Sequence, residues 1–251
     1  MMSMNKTGST PTHWNNVYKD VLPYYSMYLF QEQLIEIIHE RIVGLERAKI
    51  LEVGFGKGNE IVQLAKAGAL CFGLDFSESA ILLFKERAHR ENLDIEVVGG
   101  DARRLPFQSN SFDLVFSQGV VEHFTDPNVV LQEQLRVLKK GGIVVVEVPN
   151  KWTLYTIYKK ALMSIGRWPP GWETQYSPRE LESLLAQNGF QVIDKVGWDF
   201  LFLKVIRKLR KKVGIKDKKE NVFIQRLRQR LQRNPFLLNF FLSLTLVARS
   251  K

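Results

Sequence analysis

The sequence predicts an α/β protein whose parallel sheet is covered by helices on both faces. Two observations carry this. Five short runs rich in Val, Ile, Leu and Phe recur between residues 49 and 148, and stretches with apolar residues at helical spacing lie among them. Runs of that composition, without polar alternation, suit strands buried on both faces. A length of 251 residues, 45% of them hydrophobic and 25% charged, supplies a core for one domain of this class.

In chain order, residues 1–13 are polar and expected to fray. Apolar residues at Leu34, Ile35, Ile38 and Ile42 predict an amphipathic helix within Ser26–Val43, so 1–44 reads as an N-terminal helical segment and 45–251 as the main domain. The first strand, Lys49–Val53, runs into a glycine loop, and Asn59 is placed to cap a helix to Ala67. Leu70–Leu74 is the second strand, and Ser77 caps a helix to about Glu91. Ile95–Val98, Phe112–Ser117 and Ile143–Val148 are the next three strands, with a helix over Pro127–Leu138 before the last. Ser177-Pro178-Arg179-Glu180 is a capping box whose helix ends at Gly189. Strands at Phe190–Val196 and Leu242–Arg249 come last.

Two insertions interrupt this rhythm. Residues 150–176 hold a helical pattern, a Trp168-Pro169-Pro170-Gly171-Trp172 turn and three of the five tryptophans. Residues 204–233 hold thirteen Lys/Arg against Asp217 and Glu220, a local charge of +11 in a chain of net charge +10. The rest of the chain is therefore near neutral and carries no sign of a nucleic-acid-binding body. The single cysteine, Cys71, excludes a disulfide framework and a cysteine-built zinc site, and no His/Asp/Glu spacing calls for a metal. No apolar run reaches the ~20 residues that span a bilayer, and the N-terminus has no leader-like apolar core. A cytoplasmic protein is expected, with the inner membrane face as a further option.

The chemistry is concentrated in Ile50-Leu-Glu-Val-Gly54-Phe-Gly56-Lys-Gly58-Asn59. Glycines between a strand and a helix let backbone amides approach a ligand closely. The dinucleotide fingerprint wants its third glycine one residue later, where Asn59 stands. Asp75 ends the second strand 21 residues after Gly54, where a carboxylate can hold both hydroxyls of a ribose. That serves nicotinamide and adenosyl cofactors alike.

Motifs further along the chain narrow the choice. Gly100-Asp101-Ala102 and Leu105-Pro106-Phe107 come after the third strand. Ser111–Gln118 and Val121-Glu122-His123-Phe124 form the fourth strand and its exit. Leu138-Lys-Lys-Gly141-Gly142 precedes a strand ending Val148-Pro149-Asn150, and Leu246-Val-Ala-Arg249 closes the chain. This series resembles the class I S-adenosylmethionine-dependent methyltransferases, in particular the small-molecule subgroup akin to quinone-biosynthesis enzymes. The resemblance covers about residues 45–196 and the terminal strand. It implies a Rossmann-like three-layer sandwich of seven strands, order 3-2-1-4-5-7-6, mostly parallel with the last strand antiparallel. It implies S-adenosylmethionine as cofactor and S-adenosylhomocysteine as product. Glu52, Gly54, Gly56 and Gly58 would surround the methionine part, and Asp75 the ribose hydroxyls. Phe76 would pack near the adenine, with Asp101 accepting from its amino group and the Ala102 amide nearby. Gln118 would lie by the sulfonium.

His123 is the candidate general base, weighed against a role in packing and orienting its loop; Glu173, Tyr176 and Tyr24/Tyr25 rank below it. The absence of an Asn/Asp-Pro-Pro-aromatic motif after the fourth strand, and of a cysteine placed as a cytosine-C5 nucleophile, favours a small organic acceptor. The 150–176 insertion falls where such enzymes build a cap. Trp152, Tyr155, Trp172 and Tyr176, with Tyr158 and Trp168, are candidate walls for an aromatic or lipid-like acceptor, or simply cover the sheet. The basic insertion reads as a solvated, mobile arm, as a basic hairpin on anionic lipid, or as an RNA or DNA contact. The last would suit a macromolecular methyltransferase, although Phe223 is its lone aromatic. Acceptor identity and oligomeric state are not written in the sequence.

Overall fold

The computed structural model describes residues 10–20, 31–41, 44–168, 172–198 and 222–251. The elements are α1 (Pro11–Asp20), α2 (Gln31–Arg41), β1 (Lys49–Val53), α3 (Asn59–Lys66), β2 (Leu70–Asp75), α4 (Glu78–Arg90), β3 (Ile95–Gly99), β4 (Phe112–Gln118), α5 (Pro127–Val137), β5 (Leu138–Pro149), α6 (Leu154–Ser164), α7 (Pro178–Gln187), β6 (Phe190–Trp198), α8 (Val222–Gln232) and β7 (Ser243–Ser250). Single 3-10 turns lie at Val121–His123 and Leu237–Phe240. No described helix is long and apolar enough to cross a membrane.

The strands form one sheet in the order β3-β2-β1-β4-β5-β7-β6. All pairings are parallel except those of β7, which runs antiparallel to β5 and β6. Successive residues on a strand face opposite ways, and the sheet sorts its apolar side chains accordingly. Leu51, Val115 and Val144 join a core with Leu131 of α5 and Leu181 and Leu185 of α7. Their neighbours Ile50, Leu114 and Val145 join a second core with Leu34 of α2, Ile61 of α3 and Phe84 of α4. Two helical layers thus sandwich the sheet.

Local chemistry sets several boundaries. Ser77 caps α4 by accepting from the Ala80 amide at 3.3 Å, and the Ser177–Glu180 capping box is complete. Asn59 is the first residue of α3 rather than its cap: Gly58 holds the cap position without a side-chain bond, and the Asn59 amide oxygen accepts from Arg87 at 2.6 Å. The N-terminus departs further from expectation, because residues 11–13 belong to a helix that packs on α4. Among its described side chains that helix buries only Trp14 and Val17, too sparse an apolar set to register as periodic. Tyr24, Tyr25 and the first half of the basic insertion, including its Val205–Val213 pattern, lie outside the described residues. The second basic pattern is α8.

Candidate functional site

The carboxyl ends of β1, β2 and β4 meet at the glycine loop. Gly54, Gly56 and Gly58 all have positive φ, of 73°, 49° and 59°, a region that side chains rarely adopt. A Cβ on Gly56 would collide with the Tyr18 hydroxyl, and one on Gly58 with the Phe84 ring. Asp75 is buried at the end of β2. Its Oδ2 accepts from the Gly56 amide and its Oδ1 from the Ser77 amide, each at 2.9 Å. Burial raises its pKa from the ordinary value, opposed by the amides of Ser77, Gly56 and Phe76. Each oxygen retains further lone-pair capacity. Glu52 is buried at the penultimate position of β1, and its Oε2 has no hydrogen-bond partner among the described residues. Burial, then the nearby Glu60 carboxylate, raises its pKa well above the ordinary value. A buried acceptor left open in this way marks a place for a donor.

Two adjoining cavities of about 130 and 60 Å3 open here. Trp14, Tyr18, Gly54, Gly119 and His123 border both. Glu52, Gly56, Gly58 and Gln118 line the larger, while Asp75, Phe76 and Ala102 line the smaller. The sequence-predicted group is therefore brought together, with two qualifications. Asp101 lines a wider surface cleft beside Phe76, and Arg103 engages both its oxygens at 2.5–3.0 Å, which lowers its pKa. The Gln118 amide donates to Glu147 Oε2 at 2.7 Å.

Helix α1 roofs the site. Asn15 Oδ1 accepts from Ser77 Oγ at 2.9 Å and the Ser79 amide at 3.3 Å, anchoring α1 to the start of α4. Trp14 then meets the His123 ring edge-on at 5.1 Å. His123 Nδ1 lies 3.1 Å from the Trp172 carbonyl. A carbonyl can only accept, which assigns the proton to Nδ1 and leaves Nε2 with its lone pair. Burial pushes the His123 pKa down to about 4, so the ring is neutral.

The 150–176 insertion ties back to the same turn. Thr174 donates its amide to the Glu122 carbonyl at 2.8 Å, and Asn150 and Tyr176 form a parallel bridge. Behind the cavity, the Lys159 ammonium of α6 pairs with the Glu173 carboxylate, both buried, and lies over the rings of Trp168 at 5.2 Å and Tyr155 at 5.8 Å. Glu122, His123 and Glu173 bring ligand-type atoms within 4.8 Å of one another. That constellation was not expected, since fifty residues separate its members; Lys159 already supplies positive charge to it.

The four candidate acceptor walls do not line either cavity. Trp152 is 60% exposed, because its amide is held by Asn150 Oδ1 at the start of the insertion and its ring projects outward beneath Lys151. Tyr155 turns towards Lys159, Trp172 contributes its carbonyl to His123, and Tyr176 is absorbed into the core with Val121 and Val148. The residues missed were Trp14, Tyr18, Glu60, Glu147 and Lys159. Of these only Glu147 left a signal, as a charge inside the apolar run Ile143–Val148. Burial raises its pKa to about 7, against hydrogen bonds from Gln118 and Ser243.

Comparison with known proteins agrees with this architecture. A family described as a methyltransferase domain matches residues 51–146. The chain is 30% identical over 161 residues to the ubiquinone biosynthesis O-methyltransferase of Bartonella quintana (strain Toulouse), covering 62% of this chain and 65% of that protein. It is 32% identical over 158 residues to the ubiquinone biosynthesis O-methyltransferase of Brucella anthropi, covering 59% and 62%. The match thus spans less than two thirds of these relatives. Among solved structures, a putative sarcosine dimethylglycine methyltransferase from Galdieria sulphuraria superposes with a TM-score of 0.66 at 20% identity, over 90% of this chain and 88% of that one. Magnesium protoporphyrin IX methyltransferase from Synechocystis, with bound SAH, gives 0.61 at 16% identity over 96% and 93%. At these identities the structures establish the fold.

Proposed function

We propose, for a chain that belongs to the class I S-adenosylmethionine-dependent methyltransferases, that it transfers a methyl group from S-adenosylmethionine to a small, hydrophobic or lipid-like organic acceptor. The observation that carries this reading is the pairing of a buried, amide-held Asp75 with an open Glu52 acceptor around a positive-φ glycine loop. Bound there, the cofactor supplies a methyl group already activated by a sulfonium leaving group. The chain's own residues bind and align. Glu52 and the loop amides receive the amino-acid end, Asp75 the ribose hydroxyls, and Phe76 the adenine face. Asp101 keeps lone pairs for the adenine amino group beside its bonds to Arg103. Gln118 borders the reacting end, where Glu147 fixes its amide. Placement of this kind can contribute ~7–11 kcal/mol towards the barrier.

His123, neutral and with Nε2 unprotonated, is the group that takes a proton if the acceptor must lose one. The cap remains the proposed acceptor cover through Trp172, whose carbonyl meets His123 at the cavity wall. Docking on an anionic membrane is supported by the described part of the basic insertion, where Leu227 and Leu231 are exposed along with Arg226 and Arg230, and by exposed Phe236 and Phe240 just after it. The alternative, an RNA or protein methyltransferase docked through the same arm, rests on the same arginines.

Replacing Asp75 with Ala tests the cofactor assignment. Calorimetric affinity for S-adenosylhomocysteine should fall at least ~100-fold, consistent with losing two charge-assisted hydrogen bonds of ~1.5–3 kcal/mol each. Near-native affinity, or tight uptake of NAD in its place, overturns the reading.

A further inference from the structure

Besides Glu52 and Glu60 at the glycine loop, three further carboxylates, Glu122, Glu147 and Glu173, border the larger cavity, and all are buried. They differ in how their charge is met. Glu147 accepts from Gln118 and Ser243, and Glu173 pairs with Lys159. Glu122 is 1% exposed, and its Oε2 has no hydrogen-bond partner among the described residues. A buried carboxylate with one oxygen left open is costly, and a cation or a proton relieves it.

The same neighbourhood shows which cation it accommodates. Lys159 Nζ sits against the Glu173 carboxylate with the faces of Trp168 and Tyr155 beside it, the combination of carboxylate and π faces that recognises ammonium groups. An anionic acceptor would meet repulsion here, and a neutral alcohol would leave Glu122 to share the Lys159 ammonium, which is already paired with Glu173.

We infer that the acceptor is an amine on an apolar body and that the methylated atom is its nitrogen, Glu122 receiving the ammonium. This rests on the methyltransferase reading and narrows it. The incoming ammonium gives one proton to the Glu122 carboxylate, which becomes a carboxyl group. The free amine's lone pair then forms the N–C bond as the C–S bond breaks, with that bond's electron pair passing to sulfur. Positive charge moves from sulfur to nitrogen, so the net charge of the pocket is conserved.

Octylamine, 1-octanol and octanoate, of matched chain length, and catechol as a phenolic probe can be titrated into the full chain with S-adenosylhomocysteine present. Each is then incubated with S-adenosylmethionine for product analysis. Octylamine should bind about tenfold or more tightly than octanol, the worth of one charge-assisted hydrogen bond. Octanoate should not bind, and the product should be N-methylated. Octylamine binding no better than octanol, including no binding by either, overturns the inference, as does O-methylation of catechol in preference to the amine. Failure of S-adenosylhomocysteine to bind in the same instrument counts against the underlying family assignment instead. Glu122→Gln keeps the shape and removes the charge; it should erase the amine preference while cofactor-product affinity stays, and an unchanged preference overturns the role of Glu122. Should that variant not fold, the wild-type series still decides.

Discussion

At the scale of single residues, His123 shows how burial selects a protonation state. Its Nδ1–H is committed to the Trp172 carbonyl and its ring to Trp14, and desolvation disfavours the imidazolium. The folded pKa of about 4 lies below the ordinary 6.5. Between those values the unfolded chain binds the proton and the folded chain does not. His123 therefore makes stability fall as pH drops from 6.5 towards 4, by up to about 3 kcal/mol if the full shift is expressed. Chemical denaturation across pH 4–7 should show a steeper acid loss in the native protein than in His123→Gln. Equal slopes would mean that the ring is not held neutral. The histidine and its Val121-Glu122-His123 setting were legible in the sequence. Its partner Trp172 was legible only as a tryptophan, because the contact uses its backbone carbonyl, which every residue possesses.

At the scale of elements, α1 is the piece whose function its own pattern conceals. Polar composition suggested a frayed end, yet Asn15 fastens the helix to Ser77 and Ser79, beside Asp75, and Trp14 and Tyr18 border both cavities. A helix with two buried apolar residues has little stability of its own, so it should open before the rest of the fold. Removing residues 1–20 should leave a folded protein whose S-adenosylhomocysteine dissociates at least ~10-fold faster in stopped-flow displacement, in line with the loss of a closing element. An unchanged off-rate would reduce α1 to a passive cover. The insertion that holds α6 differs in kind. The helical pattern expected within residues 150–176 is borne out as Leu154–Ser164, but its orientation turns on Asn150, whose side-chain amide donates to the Leu238 and Phe241 carbonyls at 2.8 Å each. Those partners lie some ninety residues downstream, which is why Trp152 faces outward against expectation.

At the scale of the whole molecule, charge is segregated: the basic excess lies in 204–233 and the remainder is near neutral. Flotation with vesicles of anionic lipid should carry the protein at low salt, lose it at high salt, and lose it on deletion of 204–233. Salt-sensitive RNA binding lost on the same deletion, with vesicle binding unaffected, would instead favour the macromolecular alternative. The amino-acid sequence alone determined the alternation of strands and helices, the caps at Ser77 and Ser177, and the glycine loop with Asp75 at the end of the second strand, while the strand order came through the family resemblance. These are local or sequentially ordered properties: backbone preferences, side-chain periodicity and short spacings act within a few residues. Only the tertiary structure decided which side chains face the cavities. It brought Glu147, Glu173 and Lys159 to one place, turned Tyr155 and Tyr176 away from it, and laid an inconspicuous N-terminal helix across the opening. Such choices depend on which distant surfaces pack together and which buried charges find partners, and that balance is struck only once the sheet has assembled.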